Sequence, residues 1–245
     1  MRICMAQTRP VTGDIQSNIE NHKELILLAS SQGADVIIFP ELSLTGYEPH
    51  LAKELATTPD DPRLKDFQTI SDTRKIVIGV GIPLKKDPGI SISMIIFQPQ
   101  QTKHIYSKKY LHPDEEEFFV SGQNTVGLID NEKKIALAIC YELSIPGHSE
   151  NAFKSGAEIY IASVAKSAVG VERAIQTLSE IAKKYSMMVM MSNCIGKSDN
   201  FVSAGKSSIW NKQGSLLAQL DDSNEGILIL DTDSREINKK IFQIE

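Results

Sequence analysis

The chain has 245 residues, 41% apolar and 23% charged, with a formal net charge of −5. That composition supports a sizeable core, and interspersed charges without a basic patch argue against nucleic acid as the main partner. No apolar run approaches the roughly 20 residues needed to span a bilayer, and the opening MRICMAQTRP is a strand pattern, not a charged leader with a long apolar stretch.

RICMAQ reads as the first strand. Asp14 then caps a helix running to about Ser30, with Ile15, Ile19, Leu25 and Leu28 on its apolar face. His22 on that helix is expected to face solvent. DVIIFP is an apolar run without alternation, the mark of a strand buried on both faces. DDPRLKDFQTIS reads as a helix with Asp61 as cap and Pro62 at the first helical position. KIVIGVGIP and SISMIIFQP are strands joined by the turn-prone KKDPGI, and HIYSK is another. KKIALAIC follows the turn signal Asp130-Asn131. AEIYIAS is a strand, and VERAIQTLSEIAKKYS is an amphipathic helix. MMVMMSN, SSIWN and GILIL complete a set of roughly ten strands, with Gly214 in the turn NKQGS.

Helices link some of these strands and hairpin-length turns link others. That mixture argues for a mixed sheet or two sheets with helices outside and against a simple doubly wound sheet; the reading adopted is an α/β fold with two central sheets and helices on the outer faces, in one domain over residues 1–245. The three cysteines, Cys4, Cys140 and Cys194, are far apart and form no CxxC pair. Neither a zinc knuckle nor a disulfide framework is suggested, and a reduced cytoplasmic compartment is the simplest reading.

In α/β folds, function gathers where strands end and loops begin. Three exits carry ionisable groups. Glu41 follows Pro40 directly after DVIIFP; by itself it could be a first-turn carboxylate of a helix. The loop after HIYSK joins Lys108, Lys109, the acids Glu115, Glu116 and Glu117, and the pair Phe118 and Phe119. Such a charge run is usually a solvated face, yet the phenylalanines must bury apolar area and would draw an adjacent carboxylate inward. The run IALAI ends in Cys140 and turns polar at once with Tyr141 and Glu142. Cys140 is either core filler or a thiol set at the mouth of a strand.

Taken together, the exits hold the parts of an acyl-transfer site that needs no histidine. A thiol requires a base, a carboxylate in an apolar setting can serve as one, and an ammonium can hold the developing oxyanion. Of the five histidines (His22, His50, His104, His112 and His148), His50, His112 and His148 are the loop candidates for an alternative base.

IIFPELSLTGY, YSKKYLHPDEEEFFVSGQ, IALAICYELSIPG, GAEIYIAS, MVMMSNCIG and GKSSIWNKQGSLLA, in this order, resemble the nitrilase superfamily, the carbon–nitrogen hydrolases, over nearly the whole chain. The resemblance implies an αββα sandwich that pairs into a homodimer or higher homo-oligomer. It also implies catalysis by Glu41, Lys108 and Cys140. Tyr106, Lys108 and Leu111 fit the family spacing around the lysine, which leaves Lys109 a bystander, and the spacing to Phe119 selects Glu115 as the second glutamate. The family's chemistry needs no metal or organic cofactor. Lys108 and the Tyr141 backbone would hold the oxyanion, Tyr47 and Phe119 would line the pocket, and Glu142 would act structurally through backbone amides or a nearby cation.

The chain departs from the family pattern after the cysteine. Leu143, Ser144, Ile145 and Pro146 stand where many members carry an arginine or tryptophan before an aromatic-proline pair, so the substrate does not carry over. Tyr141 and the short end KKIFQIE lean toward an amidase acting on a small-molecule amide. The alternatives are a nitrile hydrolase and a catalytically idle member that binds a partner. A cysteine redox sensor would need Cys194 as the resolving thiol.

Overall fold

A computed structural model describes residues 1–123, 126–130 and 133–242. Asn131, half of the expected turn signal, and residues 243–245 of the KKIFQIE end lie outside them. The strands are β1 (Arg2–Gln7), β2 (Val36–Ile38), β3 (Val77–Lys86), β4 (Gly89–Phe97), β5 (His104–Ser107), β6 (Gly127–Asp130), β7 (Lys134–Ile139), β8 (Ile159–Val164), β9 (Met188–Asn193), β10 (Ile195–Ser198), β11 (Phe201–Ala204), β12 (Ser208–Trp210), β13 (Leu216–Gln219), β14 (Glu225–Asp231) and β15 (Ile237–Phe242). The helices are α1 (Ile15–Ser31), α2 (Ala52–Leu55), α3 (Lys65–Arg74), α4 (Pro146–Lys154) and α5 (Ala168–Tyr185). None of the helices among the described residues is long and apolar enough to cross a membrane.

Two large mixed sheets form the centre. One runs β15-β14-β1-β2-β3-β4-β5 and the other β13-β12-β9-β8-β7-β6, with β10 and β11 a separate hairpin. Each has a parallel middle, β1-β2-β3 in the first and β7-β8-β9 in the second, flanked by antiparallel strands. Successive side chains of a strand point to opposite faces, and here both faces are covered. Ile3 and Met5 of β1 join Ile135, Leu137 and Ile139 of β7 between the sheets. Cys4 and Ala6 instead pack with Ile15, Ile19 and Ile26 of α1, and Ala136 and Ala138 pack with Leu178 and Ala182 of α5. The architecture is therefore the expected αββα sandwich. Buried hydroxyls stitch the sheets together: Ser163 Oγ donates to Phe39 O at 2.8 Å, and Ser192 Oγ to Ala6 O at 2.6 Å.

Local signals behave as their chemistry requires. Asp14 accepts from Ser17 N at the start of α1. Asp61 caps a 3₁₀ turn, Pro62–Leu64, that leads into α3. Five strands exceed the sequence expectation: β6, β10, β11, β13 and β15. Each is short or polar, and β13 and β15 lie at sheet edges where one face stays open, so neither an apolar run nor alternation marks them. Helix α4 was equally unmarked, although Pro146 occupies its first turn.

His22 requires a correction. It is buried, not solvent-facing, with Nδ1 2.6 Å from Asn18 O and Nε2 2.9 Å from Ser43 Oγ. Both ring nitrogens are satisfied and the ring stacks on Phe39 at 4.0 Å. Burial in this setting pushes its pKa down to about 3, so the ring is neutral.

Candidate active site

The sequence candidates sit at strand exits that the two sheets bring together. β2 ends at Ile38, and Glu41 lies in the irregular turn that follows, not in a helix. Its backbone crosses β3 at Gly81, where an added Cβ would lie 2.5 Å from both Leu42 N and Pro40 O. Only glycine permits that approach. Leu44 N then donates to Gly81 O at 3.0 Å and fixes the turn.

Lys108 follows β5 and keeps one more sheet bond, from its own N to Ile92 O at 2.8 Å. Its side chain is fully buried, while Lys109 is partly exposed with its ammonium 5.7 Å from the Tyr110 ring. The acidic run divides as well. The 3₁₀ turn Pro113–Glu115 aims Glu115 inward and leaves Glu116 and Glu117 exposed. Phe119, buried between the sheets, anchors the segment from the other side.

The charges meet at Lys108. Its Nζ lies 2.7 Å from Glu41 Oε1 and 2.7 Å from Glu115 Oε1. Both oxygens of Glu115 are paired, because Oε1 also accepts from Tyr47 Oη at 2.9 Å and Oε2 from His112 N at 2.8 Å. Those of Glu41 are not: its Oε2 is buried and has no hydrogen-bond partner among the described residues. A buried polar atom left unpaired is costly and calls for an explanation. Here the Cys140 thiol is close enough to act on the Glu41 carboxylate.

Cys140 opens the 3₁₀ turn Cys140–Ser144 with φ at +45°. That conformation is unfavourable for a residue with a Cβ, and such strain concentrates at functional sites. The thiol lies 3.9 Å from Ala165 O, at the exit of β8. The first amides of the turn, Tyr141 N–H among them, have no intrahelical acceptor. The Tyr141 ring meets His112 edge-on at 5.2 Å.

Glu142 carries the turn. Its carboxylate accepts from Ile139 N at 2.8 Å, Lys109 N at 2.7 Å and Tyr106 Oη at 2.6 Å. It thereby ties the Cys140 turn to the segment bearing Lys108. Tyr106 Oη also contacts His148 Nε2 at 3.0 Å, and His148 Nδ1 contacts Tyr160 Oη at 2.9 Å. His148 is thus a buried helix residue, not a loop base, and burial pushes its pKa down to about 4. His50 packs edge-on against Phe118, 4.7 Å between centroids, and His112 is exposed.

Burial governs the electrostatics. It raises the Glu41 pKa; Lys108 opposes the shift and Glu115 adds to it. Burial alone would lower the Lys108 pKa, but Glu41 and Glu115 more than reverse that, so the ammonium keeps its proton. Burial, then the Glu41 charge, pushes the Cys140 thiol up to about 11, with Lys166 and Lys108 opposing. Cys194 is fully buried and pushed up to about 12, and its sulfur contacts Val164 O at 3.8 Å.

Two features escaped the sequence reading. The Glu142–Tyr106–His148–Tyr160 network joins residues from four elements, which no local pattern announces. Lys166 stands at a fourth strand exit, IASVAK, where an apolar run also gives way to a charge. That signal was available.

Comparison with known proteins places this geometry in a wider setting. The chain is 27% identical over 233 residues to the glutamine-dependent NAD(+) synthetase of Acinetobacter baylyi, covering 91% of this chain and 42% of that protein. A second such synthetase, from Aquifex aeolicus, is 27% identical over 257 residues, covering 98% of this chain and 44% of that protein. The chain therefore spans less than half the length of these relatives. An omega-amidase of Yersinia enterocolitica is 26% identical over 172 residues, 66% of this chain and 63% of that protein. Among solved structures, an amidase from Nesterenkonia sp. AN1, as a cysteine-to-alanine variant in complex with butyramide, superposes with a TM-score of 0.87 at 22% identity. The match covers 96% of this chain and 92% of that one, and establishes the shared fold. The carbon-nitrogen hydrolase family model matches residues 2–240, and the chain belongs to that family.

Proposed function

We propose that the protein is an amidase that hydrolyses a small amide through a thioester on Cys140. The observation that supports this most directly is the division of labour on Glu41: Oε1 is held by Lys108, and Oε2 is left free in a buried site beside a thiol. The thiol pKa of about 11 keeps Cys140 protonated at neutral pH, so attack requires a base at the moment of bond formation. The raised Glu41 pKa makes it a stronger base than a solvated carboxylate.

Glu41 takes the thiol proton as sulfur attacks the carbonyl carbon. The oxyanion forms between the Lys108 ammonium and the Tyr141 N–H. Glu41 returns the proton to the leaving nitrogen, ammonia or an amine departs, and the acyl group stays on sulfur. Water, deprotonated by Glu41 and oriented near Glu115, then releases the carboxylic acid and the thiol. Glu115 and Tyr47 hold Lys108 in place throughout. Pairing of two copies, expected from the resemblance, belongs to the same proposal.

Intact-protein mass spectrometry during turnover of an amide panel, with ammonia assayed in parallel, tests the scheme. The expected result is a mass increase equal to the acyl group, lost on Cys140→Ala. Ammonia release without any Cys140 adduct would overturn it. A narrower reading, in which the amide is that of glutamine, is favoured by the similarity to glutamine-dependent synthetases; glutamine belongs in the panel.

A further inference from the structure

We infer that Lys166 is the substrate-recognition residue of this site and selects amides whose acyl chain carries a carboxylate. The inference rests on the amidase reading above and deepens it.

β8 lies parallel to β7, with Ser163 opposite Ile139, so the residues after Val164 run beside Cys140. Ala165 O, one residue before Lys166, contacts the Cys140 sulfur. The backbone of Lys166 is clamped on both sides. Its N donates to Asn193 Oδ1 at 2.9 Å, and its carbonyl accepts from Asn193 Nδ2 at 3.2 Å and Ala204 N at 3.0 Å. Asn193 is itself fully buried. The side chain that this clamp presents is half-buried, and its ammonium makes no ion pair or hydrogen bond among the described residues. Its charge nevertheless reaches the Cys140 sulfur, where it favours the thiolate.

A half-buried ammonium beside a nucleophile, unpaired among the described residues, is free to take an anionic partner. No carboxylate among the described residues pairs with it. Lys108 is occupied by Glu41 and Glu115, and the nucleophile turn Cys140–Ser144 carries no cation that could share the task. Two carboxylates against one ammonium would otherwise make the site repel an anionic substrate, and Lys166 removes that barrier. The acyl group dwells on the sulfur as the thioester, so it is the part of the substrate that resides next to Lys166. A short acyl chain ending in a carboxylate fits this arrangement.

The test compares glutaramate with valeramide, its neutral counterpart, and iodoacetate with iodoacetamide. In the alkylation, sulfur displaces iodide from the methylene carbon, which reads the field at Cys140 without requiring amide turnover. Lys166→Met keeps the aliphatic stem and removes the charge. It is expected to lower kcat/KM for glutaramate by about 10- to 100-fold, the range for losing a charged hydrogen-bond partner, while valeramide changes by less than about threefold. The iodoacetate-to-iodoacetamide rate ratio at Cys140, located by peptide mapping, should fall about tenfold, with recovery in Lys166→Arg. Lys197→Met, on an exposed lysine of β10, should leave the ratio unchanged. An unchanged ratio in Lys166→Met, or equal slowing by both reagents, would overturn the inference. A lost ratio in a protein whose wild type hydrolyses no amide would keep the anion site and sink the amidase reading instead.

Discussion

The Lys108 ammonium sits 2.7 Å from Glu41 Oε1, with both side chains wholly shielded from solvent. Removing one member of a buried ionic cluster leaves the others uncompensated, a loss of about 3–5 kcal/mol. Lys108→Met should therefore reduce stability by that order in urea unfolding. It should also slow single-turnover acylation by about 10²–10³, as expected for a lost oxyanion donor. Lys109→Met should change acylation less than about threefold, because a solvated charge is screened over roughly 8–10 Å. If Lys109→Met were the crippled variant, Lys108 would lose its assigned role.

The acid limb of kcat/KM should report Glu41, since the proposed base works only when ionised. Burial holds its pKa above the usual carboxylate value, Lys108 pulls it down and Glu115 pushes it up. Glu115→Gln removes an upward push, so the limb should move to lower pH. Lys108→Met removes the downward pull, so residual activity should show a limb at higher pH. Shifts in the same direction would place the titrating base elsewhere. Glu41→Gln should itself reduce turnover by more than the about 10²–10⁴-fold typical of one proton-transfer step, because in the proposed scheme the same carboxylate serves both halves of the reaction.

Cys140→Ala should abolish hydrolysis and retain the fold, while Cys4→Ala and Cys194→Ala keep most activity. The positive φ of Cys140 adds a sharper expectation. A left-handed conformation costs a residue with a Cβ about 1–2 kcal/mol, and glycine escapes that cost. Cys140→Gly should then unfold at a higher temperature than Cys140→Ala, despite its larger gain in chain entropy. The reverse order would show that the turn relaxes once the thiol is gone.

Glu142→Gln replaces a buried acceptor of four donors, Tyr110 N at 3.4 Å being the fourth, by a group with one acceptor oxygen. An N–H left facing the new amide nitrogen loses its partner, at about 1–3 kcal/mol. Denaturant unfolding should register that loss, and iodoacetamide should modify Cys140 more slowly as its turn shifts. Unchanged stability would mean that the Tyr106 and Lys109 contacts carry no weight.

Much of the architecture was written locally. Apolar runs such as VII and IALAI have no polar face to expose, so they had to lie between two layers; the mixture of helical and hairpin connections pointed to two sheets, and the family resemblance to the αββα sandwich. Glu41 and Cys140 were visible because an abrupt change from apolar to charged or reactive residues marks where a strand leaves the core. The family motifs then selected Lys108 over Lys109 and Glu115 over Glu116 and Glu117, and the packing explains why: Tyr106 and Phe119 are buried on either side, and only one lysine and one glutamate can turn inward with them. The short strands β10, β11 and β13 carry no such mark, because their pairing partners rather than their own residues make them strands.

What tertiary structure alone decided was which polar groups find a partner. His22 looked like a surface residue by position on its helix, yet Ser43 and Asn18 bury and satisfy it. His148 looked available, yet Tyr106 and Tyr160 enclose it. The free oxygen of Glu41 and the free ammonium of Lys166 are properties of what the surrounding chain does and does not supply. A sequence states which groups exist; whether each finds a partner depends on distances across two sheets, and hydrogen bonds form only over about 3 Å.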